Sequence, residues 1–439
     1  MSAHAAPEPG RLVIVGASLA GVRAARAARH AGHTGTIILI GAEEHLPYDR
    51  PPLSKTFLTH SSDHPAAHEP DEQAHPPAPT VLMAEDELRE NLGVDLRLGV
   101  TATGLDIDSR ELLLRDQQRL PYDRLIIATG ATARRWPTTT HLAGLHYLRT
   151  LDDARALRAA LARTTNLVII GAGFIGSEVA ATATQHGIHA TIVETQDTPL
   201  AHAVGQTAGT ALARLHTQAG TTLKCGVQVT GFSGTGHIEQ VHLSDGSVLP
   251  ADTVLVGIGA VPATGWLTDS GVALDDGVAC DPYLATSAPG VYAAGDLARF
   301  PHPRREGTLR LEHWTAAAEQ GAHAARNAIT TAAPTRYEPV PYVWSDWYSH
   351  RIQIIGDPHT DQPSTLIGDP DTGQFTVLYR HSNHITAALA VNQPRAITKL
   401  RRLITQRTPW ADALTQTTTL THQQLHKPPL DRGTESRAT

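Results

Sequence analysis

Residues 166–176 read NLVIIGAGFIG, and residues 11–21 read RLVIVGASLAG. Each stretch is a short apolar run, then a glycine-rich turn, then an alanine-rich segment of helical character. A second apolar run follows each time, TIILI at 36–40 and ATIVE at 190–194. Strand, turn, helix and strand are thus written twice, about 155 residues apart. Two such units predict parallel sheets flanked by helices.

The copy at 171–176 is a complete dinucleotide fingerprint, because it follows a strand and opens a helix. Gly171 permits the tight turn, Gly173 lets the backbone approach a pyrophosphate, and Gly176 lets helix and strand pack closely. Phe174 and Ile175 open the helix, whose unpaired N–H groups and positive dipole end face the phosphates. Glu194 ends the next strand, where its carboxylate accepts hydrogen bonds from a ribose 2′-OH and repels a 2′-phosphate. Thr195 and Gln196 supply no cation for such a phosphate, so NADH is expected over NADPH.

The copy at 16–21 departs from the pattern. Gly16 and Gly21 hold their places and Leu19 and Ala20 open the helix, but Ser18 stands where the middle glycine belongs. Its Cβ takes space the pattern leaves empty, although its hydroxyl can donate to a phosphate. Glu43 follows the second strand as a candidate ribose partner, with Glu44 equally acidic and the register between them open. Support comes from TSAPGVYAAGD at 286–296, which puts Asp296 at the carboxyl end of a strand, where ligands bind in parallel sheets. There it can hold a ribityl hydroxyl of a flavin. Thr129 with Gly130, and Gly257 with Gly259, likewise end apolar runs where a backbone must approach a ligand.

The chain has 439 residues, long enough for two or three domains, and 41% of them are hydrophobic. A formal net charge of -7 argues against nucleic acid as a partner. No apolar run approaches the ~18 residues of a membrane span. Two distant cysteines, Cys225 and Cys280, exclude a disulfide scaffold and make the cytoplasm the default location. Beyond about residue 333 the runs at 351–355, 374–379 and 385–391 suggest an antiparallel sheet, and 394–406 a helix opened by proline. The expected fold class is α/β, with two Rossmann-like dinucleotide-binding domains and a C-terminal α+β domain. Residues 8–120 with 251–332 are assigned to an FAD-binding domain, 121–250 to an NADH-binding domain and 333–410 to the third. Residues 411–439 are expected to be a largely disordered tail. The His- and Pro-rich stretch 60–80 is expected to be a surface insertion and no metal site, since its histidines lack ligand spacing.

Four segments carry a family resemblance: YDRPPLSKTF at 48–57, GAGFIGSEVAA at 171–181, LEHWTAAAEQ at 311–320 and YVWSDWYSHRIQIIG at 342–356. Over about residues 12–403 the chain resembles the FAD-dependent, NADH-using ferredoxin reductases that serve oxygenases, with a glutathione reductase-like architecture. The resemblance implies FAD contacts from Arg50 and Lys55, with Lys55 near the flavin N5 and paired with Glu178. Ala102 and Arg134 fall on the adenine and pyrophosphate side, and Asp296 on the ribityl chain. Trp314 would present its backbone N–H to the flavin O2/N1 region from a helix start, where the dipole favours negative charge. Lys55, Glu178 and Trp314 are the expected catalytic set. Ser18, the insertion at 60–80, and Ala42, where some relatives have an acidic ribose ligand, depart from the family; Ala42 moves that task toward Glu43.

Relatives that reduce disulfides need a dithiol beside the flavin, and the corresponding stretch 50–55 has no cysteine. Electrons are therefore expected to leave singly, to an iron–sulfur ferredoxin, and through it to a haem-thiolate mono-oxygenase or ring-hydroxylating dioxygenase. Trp344, Trp347 and Tyr348 are expected to shape the far side of the flavin pocket and the docking face. Arg299, Arg304, Arg305, Arg310, Arg401 and Arg402 are candidates for a patch that steers an acidic ferredoxin. Two other functions stay open: an NADH oxidase or peroxidase, and a redox-sensing flavoprotein similar to apoptosis-inducing factor.

Overall fold

The computed structural model describes residues 10–59, 81–137, 141–304, 306–360 and 362–425. The insertion at 60–80 and Arg305 lie outside the described residues. The first sheet runs in the order Val291–Ala293, Arg124–Ile127, Leu12–Val15, Ile37–Ile40, Val94–Arg97, and all its pairings are parallel. The second runs Thr222–Lys224, His189–Val193, Asn166–Ile170, Thr253–Val256, Leu145–His146, again all parallel. Leu12–Val15, Ile37–Ile40 and Thr253–Val256 are buried along their whole length. Helices on both faces of a parallel sheet demand such unbroken apolar runs.

The two domain boundaries are corrected by one strand each. Arg124–Ile127, assigned by sequence to the second domain, pairs with Leu12–Val15 in the first sheet. Thr253–Val256, assigned to the first domain, pairs with Asn166–Ile170 in the second. The chain changes domain just afterwards, where Ala131–Ala133 and Ala260–Pro262 pair antiparallel in a two-stranded ribbon. A four-residue apolar run suits either sheet, so neither run carries a sign of its destination.

In the first domain, helices Leu19–His30 and Trp314–Ile329 pack at van der Waals backbone contact. A Cβ on Gly321 would lie 2.1 Å from the Ala20 carbonyl oxygen, so only glycine fits the crossing. Their small alanines let the two helix starts stand close to the carboxyl ends of the first sheet.

The third domain is a five-stranded antiparallel sheet, in the order Tyr342–Trp347, His350–Gly356, His384–Val391, Gln374–His381, Thr365–Asp369. Helix Pro394–Thr405 covers one face through Leu400, Leu403 and Ile404. The other face takes Leu212 and Leu215 from helix Ala201–Gln218 of the second domain. The expected tail is corrected over 411–425, which belongs to helix Trp410–Leu425. Ala413 and Thr417 of that helix are fully buried, and Ala413 joins the core beneath Leu400. Threonine is a weak helix former, which made the segment read as a polar tail. Residues 426–439 lie outside the described residues. Among the described residues no helix is long and apolar enough to cross a membrane.

Candidate functional site

The second glycine turn is built as its sequence requires. Gly171 has φ +100, and a Cβ there would lie 2.5 Å from the Gly257 oxygen. A Cβ on Gly176 would lie 2.4 Å from the Gly171 oxygen, the close helix–strand contact. Gly173 differs, because a Cβ would meet only the Gly257 oxygen, at 3.9 Å. The space beside it is open, as a pyrophosphate needs. Phe174 starts the helix Phe174–Gln185, and Ile175 is exposed beside it. Glu194 is held by its own neighbourhood: Ala172 N donates to Oε2 at 2.8 Å and Gln196 N to Oε1 at 2.9 Å. Gly257 donates to the Ile170 oxygen at 2.8 Å, and Gly259 sits at φ +100 with its carbonyl accepting from Arg134 N at 2.9 Å. The Arg134 guanidinium lies along the same ribbon, 3.4 Å from the Ala260 oxygen.

The first turn tolerates its serine. Gly16 has φ +120 and a Cβ there would lie 2.1 Å from the Ala128 oxygen, while one on Gly21 would lie 2.0 Å from the Gly16 oxygen. Ser18 is the helix N-cap at φ -121, an extended backbone that any residue adopts, and its side chain makes no capping bond. The hydroxyl is therefore available to a ligand. Register settles the acidic position: Gly16 N donates to Ile40 O as Gly171 N donates to Val193 O, so Gly41 is the counterpart of Glu194. A Cβ on Gly41 would lie 2.7 Å from that of Ala17, which leaves no room for a side chain. Glu43 stands two residues further on, and its carboxylate takes Tyr48 Oη at 2.6 Å and Arg50 Nη2 at 2.7 Å. Leu19 and Ala20 are buried in the first helical turn. Ala102 opens strand Ala102–Asp106, half-buried. Thr129 donates to the Ala263 oxygen at 2.9 Å, and Gly130 turns at φ +67.

At the end of the last strand Asp296 is gripped by Arg149, whose Nη2 lies 2.6 Å from Oδ2. Arg149 Nε donates to the Ala131 oxygen at 2.9 Å, and its own carbonyl accepts from Arg50 Nη1 at 2.6 Å. A lone arginine inside the expected NADH-binding domain gave no sign of this role. Lys55 and Glu178 do pair, with Nζ 2.7 Å from Oε2. Glu178 is 4% exposed and also accepts from Ser54 and Ser345 hydroxyls. Ser54 and Tyr48 belong to the distinctive 48–57 segment; Ser345 comes from the third domain and had no signal of its own.

Trp314 is the first residue of its helix, and its indole Nε1 donates to Asp49 Oδ1 at 2.6 Å. Trp344 packs edge-on against it with ring centroids 5.9 Å apart, and Tyr342 stacks on Trp344 at 6.0 Å. Preceding it, His313 is buried, which pushes its imidazole down to about 4 and keeps it neutral.

Two expectations are corrected. Trp347 and Tyr348 face away from Trp314: Trp347 is fully buried against His216, at 4.8 Å between ring centroids, and Tyr348 Oη is 2.8 Å from His216 Nδ1. Alternation along Tyr342–Trp347 puts Trp344 on the site and Trp347 on the opposite face, in the seam with helix Ala201–Gln218, and Tyr348, past the strand end at φ 56, joins it there. The arginine patch is neutralised in part, at Arg299 and Arg310. Arg299 pairs with Asp275 at 3.3 Å and Asp276 at 3.1 Å, Arg310 pairs with Glu312 and Asp276, and Arg304 donates to the Ile404 carbonyl. Arg401 and Arg402 remain exposed on helix Pro394–Thr405. The cysteines hold no relay: burial pushes the Cys225 thiol up to about 11 and the Cys280 thiol up to about 12.

The donor set fits a dinucleotide in each glycine turn, and a flavin between Lys55, Asp296 and Trp314. Two helix starts supply N–H groups, an open Ser18 hydroxyl faces the first turn, and a buried carboxylate orients the lysine. Residues 10–321 match the family described as pyridine nucleotide-disulphide oxidoreductase, and 342–421 match the reductase C-terminal family. The biphenyl dioxygenase system ferredoxin–NAD(+) reductase component of Paraburkholderia xenovorans is 38% identical over 395 residues, 90% of this chain and 92% of its own. Rhodocoxin reductase of Rhodococcus erythropolis is 34% identical over 400 residues, 91% of this chain and 90% of its own. The reductase in a crystal structure of the covalent putidaredoxin reductase–putidaredoxin complex superposes with a TM-score of 0.83 at 31% identity, over 91% of this chain and 94% of its own. This chain belongs to the pyridine nucleotide-disulphide oxidoreductase family.

Proposed function

We infer that the protein is an FAD-dependent NADH:ferredoxin reductase, oxidising NADH and passing electrons one at a time to an iron–sulfur ferredoxin. The observation that carries this reading is the Lys55–Glu178 pair, 2.7 Å long, where the 48–57 segment of the first domain meets the helix of the second glycine turn. The two dinucleotide sites share that seam, and no cysteine lies in the segment. FAD, when bound, supplies a centre that accepts two electrons together and releases them singly. Overall, one NADH reduces two ferredoxins and yields NAD+ and one proton.

In this reading Glu194 selects NADH by accepting from the ribose hydroxyls. The first glycine turn, Ser18, Arg50, Ala102 and Arg134 hold the FAD nucleotide, and Asp296 holds the ribityl chain. Lys55 and the Trp314 helix start carry positive potential to the flavin edge. Relatives named as components of biphenyl and p-cumate dioxygenase systems support an oxygenase as the final consumer. Cytoplasmic placement goes with the thiol state of the two cysteines. Stopped-flow reduction by NADH, followed by mixing with a [2Fe–2S] ferredoxin or with oxygen alone, tests the assignment. Fast reoxidation by the ferredoxin and slow reoxidation by oxygen is expected. Fast oxygen turnover would make the protein an oxidase, and a long-lived NAD complex that reduces neither acceptor would make it a sensor.

A further inference from the structure

Glu178 receives three donors from two distant parts of the chain. Lys55 Nζ and the Ser54 hydroxyl meet Oε2, and both come from the first domain. The Ser345 hydroxyl meets Oε1 and comes from strand Tyr342–Trp347 of the third. Behind it, Trp347 Nε1 donates to Ser345 Oγ at 2.9 Å. An indole N–H can only donate, so the Ser345 oxygen accepts from Trp347 and its proton is turned toward Glu178. Ser345 and Trp347 are fully buried, so water does not compete for these bonds. The bonds from Trp347 through Ser345 therefore run in one direction and end on the Glu178 carboxylate, which accepts from Lys55 on its other oxygen.

Lys55 has three N–H donors. One faces Glu178 Oε2, and one faces the Pro51 carbonyl at 3.2 Å. The third is left for the cofactor side. Its direction depends on where Oε2 stands, and Oε2 cannot swing while Oε1 is pinned by Ser345. Trp347 is in turn wedged against His216 of helix Ala201–Gln218, so the pin is anchored in the seam between the second and third domains.

We propose that Ser345, oriented by Trp347, is a positioning residue for hydride transfer: it fixes the Glu178 carboxylate from the third domain, and Glu178 aims Lys55. The proposal rests on the reading that Lys55 lies at the flavin. It also gives the third domain a part in the reductive half-reaction as well as in electron delivery.

The test uses FAD-loaded full-length protein and four variants: Ser345→Ala, Ser345→Thr, Trp347→Phe and Lys55→Met. Ser345→Ala is expected to slow flavin reduction at saturating NADH about tenfold, and Ser345→Thr to stay within about twofold of the parent. Trp347→Phe removes the donor together with part of the packing, and a loss of at least about threefold is expected. The flavin midpoint potential should move negative in Ser345→Ala, because the lysine then offsets less of the charge gained on reduction. Thermal stability should fall in Ser345→Ala, because Trp347 Nε1 loses its buried acceptor, while FAD release stays near that of the parent; the shifted potential is the readout that a merely structural role for Ser345 would not produce. Parent-like reduction and potential in both Ser345→Ala and Trp347→Phe, with Lys55→Met slow, would overturn the proposal alone. Parent-like reduction in Lys55→Met would overturn the placement of Lys55 at the flavin and the proposal with it.

Discussion

Arg149 Nη2 lies 2.6 Å from Oδ2 of Asp296, joining the connector before the second domain's first helix to the carboxyl end of the first domain's last strand. The pair is partly exposed on the arginine side and nearly buried on the aspartate side. Through its backbone carbonyl Arg149 also holds Arg50, so one residue sets two proposed FAD contacts from outside the glycine turn. Arg149→Gln should weaken FAD binding about 10- to 100-fold, the worth of a charge-assisted bond whose acceptor is left unpaired. Asp296→Asn should do the same, and the double variant should lose less than the two together. Titration of the flavin-free protein with FAD, followed by fluorescence, measures all three.

Glu194 is fixed by the N–H groups of Ala172 and Gln196, so its carboxylate stands ready before NADH arrives. Glu194→Ser should lower kcat/KM for NADH about tenfold and leave NADPH unchanged or improved. Steady-state rates with both nucleotides give the ratio. An unchanged ratio would move specificity to another residue.

The fold was legible wherever a local requirement leaves a mark in sequence. Gly16 and Gly171 sit at positive φ against a neighbouring strand's carbonyl, and only glycine survives there. The all-apolar runs Leu12–Val15 and 167–170 announce strands covered on both faces. What stayed illegible depends on partners distant in sequence. Trp347 and Trp344 read alike, and only the pairing of their strand decides that one packs on Trp314 and the other on His216. Arg299 and Arg310 read as a free basic run because Asp276, their shared partner, arrives from a separate turn. In helix Trp410–Leu425 the threonines return their hydroxyls to carbonyls four residues back, as Thr415 does to Ala411 at 2.9 Å and Thr418 to Leu414 at 3.0 Å. A helix kept by such bonds and by burial of Ala413 carries little apolar periodicity.

Neither cysteine is expected to take part in the electron path. Burial raises both thiols, and each is half-buried. The double variant Cys225→Ala, Cys280→Ala should reduce a ferredoxin within about twofold of the parent rate, as removing a bystander thiol requires. A loss of more than about tenfold in electron transfer, with FAD retained, would bring back a thiol route.

Gly321 lies against the Ala20 carbonyl, where a Cβ would come within 2.1 Å. Gly321→Ala must push apart the two helices whose starts face the flavin site. Overpacking of this kind costs about 1–3 kcal/mol. The loss should fall on cofactor binding as well as on stability. Purified Gly321→Ala protein is expected to carry less flavin per chain, and added FAD should restore part of its thermal stability. A parent-like flavin content would show that the helix pair adjusts without disturbing the site.

His216 sets an acid limit on the seam between the second and third domains. It is fully buried, its Nε2 has no hydrogen-bond partner, and burial pushes its pKa from the ordinary 6.5 down to about 4. Between those values the unfolded chain binds a proton that the folded chain refuses. Stability is therefore complete above about pH 6.5 and falls as pH drops toward 4, by up to about 1.4 kcal/mol per pH unit for this residue. His313, also pushed down to about 4, acts in the same direction. Urea midpoints at pH 7.5, 6 and 5 should decline for the parent protein and less steeply for His216→Gln, whose amide does not titrate. Loosening there frees Trp347 from its stacking partner and with it the Ser345 bond to Glu178, so flavin reduction should slow over the same interval. Parallel stability curves for the two proteins would assign the acid sensitivity to other groups.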